Sequence, residues 1–190
     1  VLLLPPSGQT KEFWFGSATA LANAGRYAIC VDVRGHGDSG HSADGIYSLD
    51  AYSADLTAIL AALPSRAVVV AAGLGALVAI AAVGEGAPNL VSGLALVDAN
   101  IWIDGEVEKR MGEAMRNRTT VFASVEKIVD AIATAYPGEP RPALTDRMLS
   151  AYTVRADGQL EWRGDPKVLA AGNLSDMQER LTAAAARIAT

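Results

Sequence analysis

The 190-residue sequence is poor in several residue types, and each scarcity excludes a class of protein. It contains one cysteine, Cys30, so an intrachain disulfide framework is impossible and a cytoplasmic location is expected. Because Cys30 lies in an apolar run, we interpret it as strand packing rather than as a reactive thiol. Positive charge is also scarce. The 16 Lys and Arg against 21 Asp and Glu give a net charge of −5, which excludes attraction to nucleic acid or an anionic membrane surface.

Long hydrophobic runs are absent as well. The opening run Val1–Leu4 has no basic region and ends at Pro5-Pro6, and the apolar stretch from Ala67 to Val83 is interrupted by Gly73 and Gly75. Neither has the pattern of a signal peptide or a membrane span. No cluster of His, Cys and carboxylates has metal-ligand spacing, so neither a metal nor a cofactor is predicted. Because the chain opens inside a strand pattern without an initiator methionine, a fragment or a processed product is considered.

What the sequence has instead is a succession of short apolar runs, each followed by a helical pattern. The runs are Val1 to Leu4, Tyr27 to Val33, Ala67 to Ala72 and Leu90 to Val97. The intervening helices are predicted at about Lys11 to Asn23, Ser48 to Leu63 and Leu74 to Glu85. Because the runs lack in/out alternation, we expect a mostly parallel α/β sheet covered by helices on both faces.

The character of the chain changes after Asp98, where charged amphipathic segments replace the apolar runs. The elements predicted there are helices at about Gly105 to Arg118 and Ser124 to Tyr136, a hairpin from Tyr152 to Trp162 around Asp157-Gly158, and a last helix at about Leu174 to Ala189. A proline-rich break, residues 136–142, separates them. We therefore divide the chain into a core, residues 1–104, and a helical cap, residues 105–190, without a strand-type core of its own.

Several segments together resemble the α/β-hydrolase superfamily. The stretch from Asp32 to Ser39 resembles the D-x-R-G-x-G-x-S loop that follows the family's fourth strand. Further matches are Leu2–Leu4 before a loop with Gln9 and Trp14, Tyr47–Asp50, Val68–Val70, Leu94–Asp98, Trp162 and Asp165-Pro166. The resemblance covers essentially the whole chain. It implies a capped fold of the esterase and epoxide-hydrolase type, with the four strands in the order four, three, five, six of the family's sheet.

The resemblance fails at the residue that would carry the chemistry. The family's G-x-S-x-G motif places a serine on a strained turn between strand and helix, next to the N–H groups that bind the oxyanion. Here that stretch is Ala71-Ala72-Gly73-Leu74-Gly75, which puts Gly73 at the nucleophile position. Glycine has no side chain to form a covalent intermediate. The resemblance therefore implies a pseudoenzyme that is not competent for serine hydrolysis.

The oxyanion loop also departs from the family, which has His-Gly where this chain has Pro5-Pro6. Proline lacks an N–H group, but the donors that the resemblance implies are the backbone N–H groups of Ser7 and Leu74. An anion pocket is thus expected to survive, with Gln9 and Trp14 beside it.

The other members of a catalytic triad are in doubt. The chain is expected to end before the strands that carry the family's usual acid and histidine. Its histidines, His36 and His41, lie in the loop after the second apolar run, and we interpret His36 as a loop-ordering residue rather than a general base. Asp98 matches the acid position that some members use after the sixth strand. A helix-capping or loop-ordering carboxylate is an equal alternative for Asp98.

Three functions stay open. The favoured one is a degenerate or fragmentary hydrolase that binds a small ester-like or carbonyl ligand, and the second is a non-enzymatic interaction protein of the same fold. The third is a Rossmann-like dinucleotide-binding domain, because Gly73-Leu74-Gly75 opens a helix and Asp98 ends the next strand. The third glycine that this dinucleotide-binding motif requires, however, would fall at position 78, which is Val78.

A four-stranded sheet also leaves unprotected edges, which favour a homo-oligomer.

Overall fold

The computed structural model of the chain describes residues 1–102, 104–106, 109, 113, 120–135, 149–170 and 175–188. No helix within these ranges is long and apolar enough to cross a membrane. The predicted helix at about 105–118 and the proline-rich break at 136–142 lie mainly or wholly outside the described residues.

A four-stranded parallel sheet forms the centre of the molecule. Its strands are β1 (Leu2–Leu4), β2 (Ile29–Cys30), β3 (Ala67–Ala72) and β4 (Val91–Val97), in the order β2-β1-β3-β4. The register places Leu3 between Cys30 on one side and Val70 on the other. The α/β fold class and the strand order four, three, five, six are therefore confirmed.

Helices lie on both faces of this sheet, but they leave much of β4 uncovered, with Val97 47% exposed. On one face, α1 (Phe15–Asn23) follows a 3-10 turn at Lys11–Trp14, and Trp14 packs with Leu3 and Ala72. On the other face, α2 (Leu49–Ala62) and α3 (Leu74–Glu85) enclose the main core. The Ser48 hydroxyl accepts the Ala51 N–H and caps α2, as its position before the helix predicts.

Strand β2 is shorter than the predicted run from Tyr27 to Val33. Its partner β1 offers only three residues before Pro5 ends it, so the ladder includes Ile29 and Cys30 alone. Tyr27 is 82% exposed. The length of an edge strand is thus set by its partner rather than by its own apolar pattern.

The second half of the chain contains an antiparallel sheet. Strands β5 (Val121–Phe122), β6 (Tyr152–Val154) and β7 (Leu160–Trp162) pair in the order β5-β7-β6, and α4 (Val125–Ala135) follows β5. The hairpin turn predicted at Asp157-Gly158 is confirmed, with Gly158 at φ +81°. The third strand, β5, was not predicted. The buried side chains of this small sheet belong to the same hydrophobic cluster as the main core, so the sheet packs on that core rather than around a separate one. The boundary at residue 104 itself stays a prediction.

The last helix, α5 (Gln178–Ala186), packs against α3 of the main core. Leu181 and Ala184 are fully buried there, and a Cβ atom on Gly84 would collide with the backbone of Ala184. The Arg180 guanidinium bonds both carboxylate oxygens of Glu85 at 2.7 Å. This helix therefore contacts the core directly, although the predicted division counts it with the cap.

Candidate functional site: a glycine elbow at the carboxyl end of the sheet

Gly73 forms the turn between β3 and α3. Its backbone has φ +49° and ψ −119°, a conformation that residues with a side chain rarely adopt. Its N–H donates to the Val97 carbonyl at 3.2 Å, and its own carbonyl accepts the first helical N–H groups, those of Ala76 and Leu77. The strained elbow geometry implied by the resemblance is present here, and glycine adopts it without steric penalty.

The two predicted oxyanion donors, the N–H groups of Ser7 and Leu74, belong to residues that follow two neighbours in space. Ser7 follows Pro6 and Leu74 follows Gly73, and a Cβ atom built on Gly73 would lie 2.9 Å from the Pro6 Cβ. Leu74 is the first residue of a 12-residue helix, whose N-terminus carries partial positive charge. Within the described residues, neither the Ser7 nor the Leu74 backbone N–H donates to a protein acceptor.

Gln9 and Trp14, the other two predicted pocket residues, lie on the same loop and its following turn. The Gln9 N–H donates to the Pro6 carbonyl at 3.2 Å, and Trp14 packs against Ala72, the residue before Gly73. The Gln9 Oε1 and Trp14 Nε1 atoms are buried and have no hydrogen-bond partner among the described residues. The structure thus brings all four predicted pocket residues to the vicinity of the elbow.

Asp98 follows β4 directly and is exposed, with φ +51°. Aspartate is one of the few residues with a side chain that enters this left-handed region. The preceding carbonyl, that of Val97, accepts the Gly73 N–H, which places Asp98 beside the elbow. Residues 99–102 are not helical, so the helix-capping alternative for Asp98 is wrong.

His36 is fully buried and bonded through both ring nitrogens. Its Nε2 accepts the Gly8 N–H at 3.1 Å, and its Nδ1 lies 3.2 Å from the Arg34 carbonyl, to which it donates in the corresponding tautomer. The Trp162 indole N–H donates to the Gly8 carbonyl at 3.0 Å, and the two rings meet edge to face. The contacts are those of a loop-ordering histidine, because the Nε2 lone pair that a general base needs is already engaged. His41 is half-exposed, 4.0 Å from Asp165.

The loop that resembles D-x-R-G-x-G-x-S is organised by Asp32. Its carboxylate accepts the Lys11 N–H at 2.6 Å and the Asp38 N–H at 2.9 Å, and a Cβ atom on Gly37 would collide with it. A hydrogen bond from the Lys11 side chain, and a second one from the Arg163 side chain, hold the pKa of the Asp38 carboxyl below its usual range. Asp32 therefore ties the segment after β1, at Lys11, to the loop after β2.

The second elbow glycine, Gly75, bears on the dinucleotide alternative. A Cβ atom on Gly75 would lie 2.8 Å from the Pro5 carbonyl and 2.9 Å from the Leu4 Cβ. In a dinucleotide-binding turn the second glycine lets the backbone approach the pyrophosphate. Here Gly75 instead allows α3 to approach β1, so its identity is explained by packing inside the core.

The sheet order, the elbow and the Asp32 loop together define a class of protein. The sequence model of the alpha/beta hydrolase family matches residues 1–189, and the chain belongs to that family. It is similar to the esterase Rv0045c of Mycobacterium tuberculosis, with 30% identity over 171 residues, which are 87% of this chain and 56% of that relative. The chain thus spans little more than half the length of this curated relative.

Solved structures agree with this assignment. The crystal structure of the same Mycobacterium tuberculosis esterase superposes with a TM-score of 0.66 at 28% identity, covering 93% of this chain and 59% of that one. An E-2-(acetamidomethylene)succinate hydrolase superposes with a TM-score of 0.81 at 22% identity, covering 100% of this chain and 69% of that one. The second likeness supports the fold alone. The α/β-hydrolase fold is therefore established independently of any one motif.

Proposed function

We propose that the elbow binds a small ester-like or carbonyl ligand and does not hydrolyse it through a serine. The observation that carries this proposal is the conformation of Gly73, at φ +49°, which keeps the family's turn without a nucleophilic side chain. The Ser7 and Leu74 N–H groups flank the turn and donate to no protein acceptor within the described residues. Paired backbone donors of this kind suit a carbonyl oxygen.

Charge favours a neutral ligand at this place. The N-terminus of α3 attracts the partial negative charge of a carbonyl oxygen. Asp98 lies beside the elbow and would repel a full negative charge. A ligand with an uncharged carbonyl group, such as an ester, satisfies both constraints better than a carboxylate does.

An assay with p-nitrophenyl butyrate, run beside a thermal-shift series with ethyl butyrate, tests the proposal. We expect a rise in the unfolding temperature that saturates with ester concentration, and no release of p-nitrophenol above the buffer rate. Burst release of p-nitrophenol together with an acylated residue in the mass spectrum would contradict it.

The exposed sheet face supports a second candidate, a non-enzymatic interaction protein that self-associates. Within the described residues, β4 pairs on one side only, with β3. Val68 and Val97 lie on one face of these strands and are 39% and 47% exposed. Open edges and exposed apolar side chains favour association. Light scattering that shows a monomer at high concentration would contradict this candidate.

A further inference from the structure

The two outer strands of the main sheet differ in length and in protection. β2 has two residues, whereas β4, at the other edge, has seven. Proteins protect long edge strands from pairing with another chain by charged side chains, proline or a bulge. β4 contains neither a charged residue nor proline, and its register irregularity lies at its beginning, opposite Ala67 and Val68, which leaves Gly93–Val97 regular. In the part of the chain that the structure describes, no strand pairs with its outer side.

The hydrogen-bonding groups of this outer side belong to Leu94 and Leu96. The Val97 carbonyl points toward β3, because it accepts the Gly73 N–H at 3.2 Å. Backbone groups of successive residues in a strand point alternately to its two sides, so those of Leu94 and Leu96 point away from β3. The edge therefore offers the N–H and C=O groups of both leucines to another extended strand.

The side chains of β4 are complementary to those of a second copy that runs antiparallel, with the two Ala95 residues opposite each other. In this register Gly93 faces Val97 of the second copy, so a position without a side chain meets an exposed valine. On the other face of the sheet, Leu94 faces Leu96 of the second copy. Directly opposed apolar side chains stabilise a pair of strands. One strand thus supplies both halves of a matched pair.

Charge at the two ends of β4 favours the same direction. Asp98 follows the strand directly and is exposed. At the other end, the Arg66 guanidinium donates to the Val91 carbonyl, with its Nε atom at 2.8 Å. Antiparallel pairing brings Asp98 of each copy opposite Ser92 of the other, next to this guanidinium. Parallel pairing would instead bring the two Asp98 carboxylates together, which is unfavourable.

We propose that β4 pairs antiparallel with β4 of a second copy about a two-fold axis at Ala95. This pairing joins the two four-stranded sheets into one and closes the assembly at a dimer. The proposal rests on the second candidate function, self-association, and gives it a surface and a register. It does not depend on the ester ligand of the elbow.

Sedimentation velocity of the full chain and of two lysine variants tests the surface. Ala95 is exposed, so Ala95→Lys should stay folded, which far-UV circular dichroism checks, but it places two like charges directly opposite each other. We expect a dimeric parent and a dissociation constant at least about 10-fold higher in Ala95→Lys. The control is Val154→Lys, at a side chain 69% exposed on β6, an outer strand of the small sheet, which should dimerise as the parent does.

The outcomes separate this surface from self-association itself. A parent that is monomeric at high concentration would contradict both. A dimer that Ala95→Lys leaves unchanged, or that Val154→Lys weakens as much, would overturn the β4 surface and leave self-association standing.

Disulfide cross-linking tests the register, in chains that also carry Cys30→Ser. The two Ala95 residues form a pair without hydrogen bonds between them, in which the Cα atoms are about 4.5 Å apart, so the thiols of Ala95→Cys form a disulfide when diamide oxidises them. Val68→Cys lies on the same face but one strand further from the axis, and it should remain a monomer in denaturing electrophoresis. The register is overturned if Ala95→Cys gives no covalent dimer, or if Val68→Cys gives as much of it.

Discussion

Pro6 lies where a side chain on Gly73 would project. The Pro6 Cβ is 2.9 Å and its Cα 3.4 Å from the position that a Cβ atom on Gly73 would take. The first distance is shorter than an ordinary contact between carbon atoms. Pro6, in the loop after β1, and Gly73 of the elbow are therefore mutually adapted, because the proline occupies space that a side chain at position 73 would need.

This adaptation predicts that Gly73→Ser destabilises the protein for two reasons. A side chain at positive φ costs about 1 kcal/mol, less the benefit of restricting the unfolded chain, and the contact with Pro6 adds to that cost. In the double variant Pro6→Gly/Gly73→Ser, the serine should cost less than it does alone. Urea unfolding of the four proteins gives the coupling free energy, expected at about 0.5 kcal/mol or more.

The serine variants should also remain inactive toward p-nitrophenyl esters, because His36 Nε2 is bonded to the Gly8 N–H. A serine variant more stable than the parent would contradict the placement of the elbow. Ester turnover by either variant would show that another group activates the serine.

The role of the Leu74 N–H is tested by a pair of substitutions at one position. Leu74 is the first residue of α3, where proline is tolerated, so Leu74→Pro removes the N–H donor and leaves the helix intact. Leu74→Ala removes the same side chain and keeps the donor. Titration with ethyl butyrate should show about 5-fold or greater loss of affinity in Leu74→Pro relative to Leu74→Ala. Equal affinities would exclude this N–H from the site.

Acid should loosen the attachment of α5 to α3. Hydrogen bonds from Arg180 hold the pKa of the Glu85 carboxyl below its ordinary value of 4.5. Because this pKa is lower in the folded protein than in the unfolded chain, the ionised Glu85 carboxylate stabilises the fold. The contribution is complete at a pH above the ordinary pKa of 4.5 and is lost as the pH falls through the folded-state pKa. The unfolding temperature of the parent should therefore fall more steeply below about pH 4.5 than that of Glu85→Gln. Parallel pH profiles would contradict this linkage.

The indole of Trp162 should matter through its N–H group. Trp162→Phe keeps a ring beside His36 but leaves the buried Gly8 carbonyl without its 3.0 Å partner. An unsatisfied buried carbonyl costs about 1–3 kcal/mol, and the smaller ring adds a packing loss. The matched control is Trp102→Phe, at a side chain that is 62% exposed, with an expected change within about 0.5 kcal/mol. Similar unfolding free energies for the two variants would contradict the role given to this bond.

The sequence predicts the centre of the fold well where local chemistry dictates it. β3 and α3 begin and end at the predicted residues, because Gly73 separates a strand pattern from a helix pattern. The Asp157-Gly158 pair likewise identifies the tight turn that joins β6 and β7. Strand β5 has only two residues, Val121–Phe122, too few to show a period of its own.

Features of the site that depend on distant contacts were not predictable. The sequence identifies Gly73 as the nucleophile position but does not show that Pro6 fills the space beside it. Likewise, Tyr52 belongs to an ordinary helical pattern, and the burial of its hydroxyl, without a hydrogen-bond partner in the part of the chain that the structure describes, depends on how α2 packs against the sheet. Such contacts join residues far apart in the chain, which composition and periodicity do not report.

The central claim is that the elbow binds a carbonyl group without cleaving it. The most direct measurement is ¹³C NMR of ethyl butyrate labelled at the carbonyl carbon, followed during titration with the protein. The account predicts a saturable change of the ester carbonyl shift, absent in Leu74→Pro, and no signal of butyrate. Butyrate formed in proportion to the protein concentration, or an ester signal that the protein leaves unchanged, would contradict it.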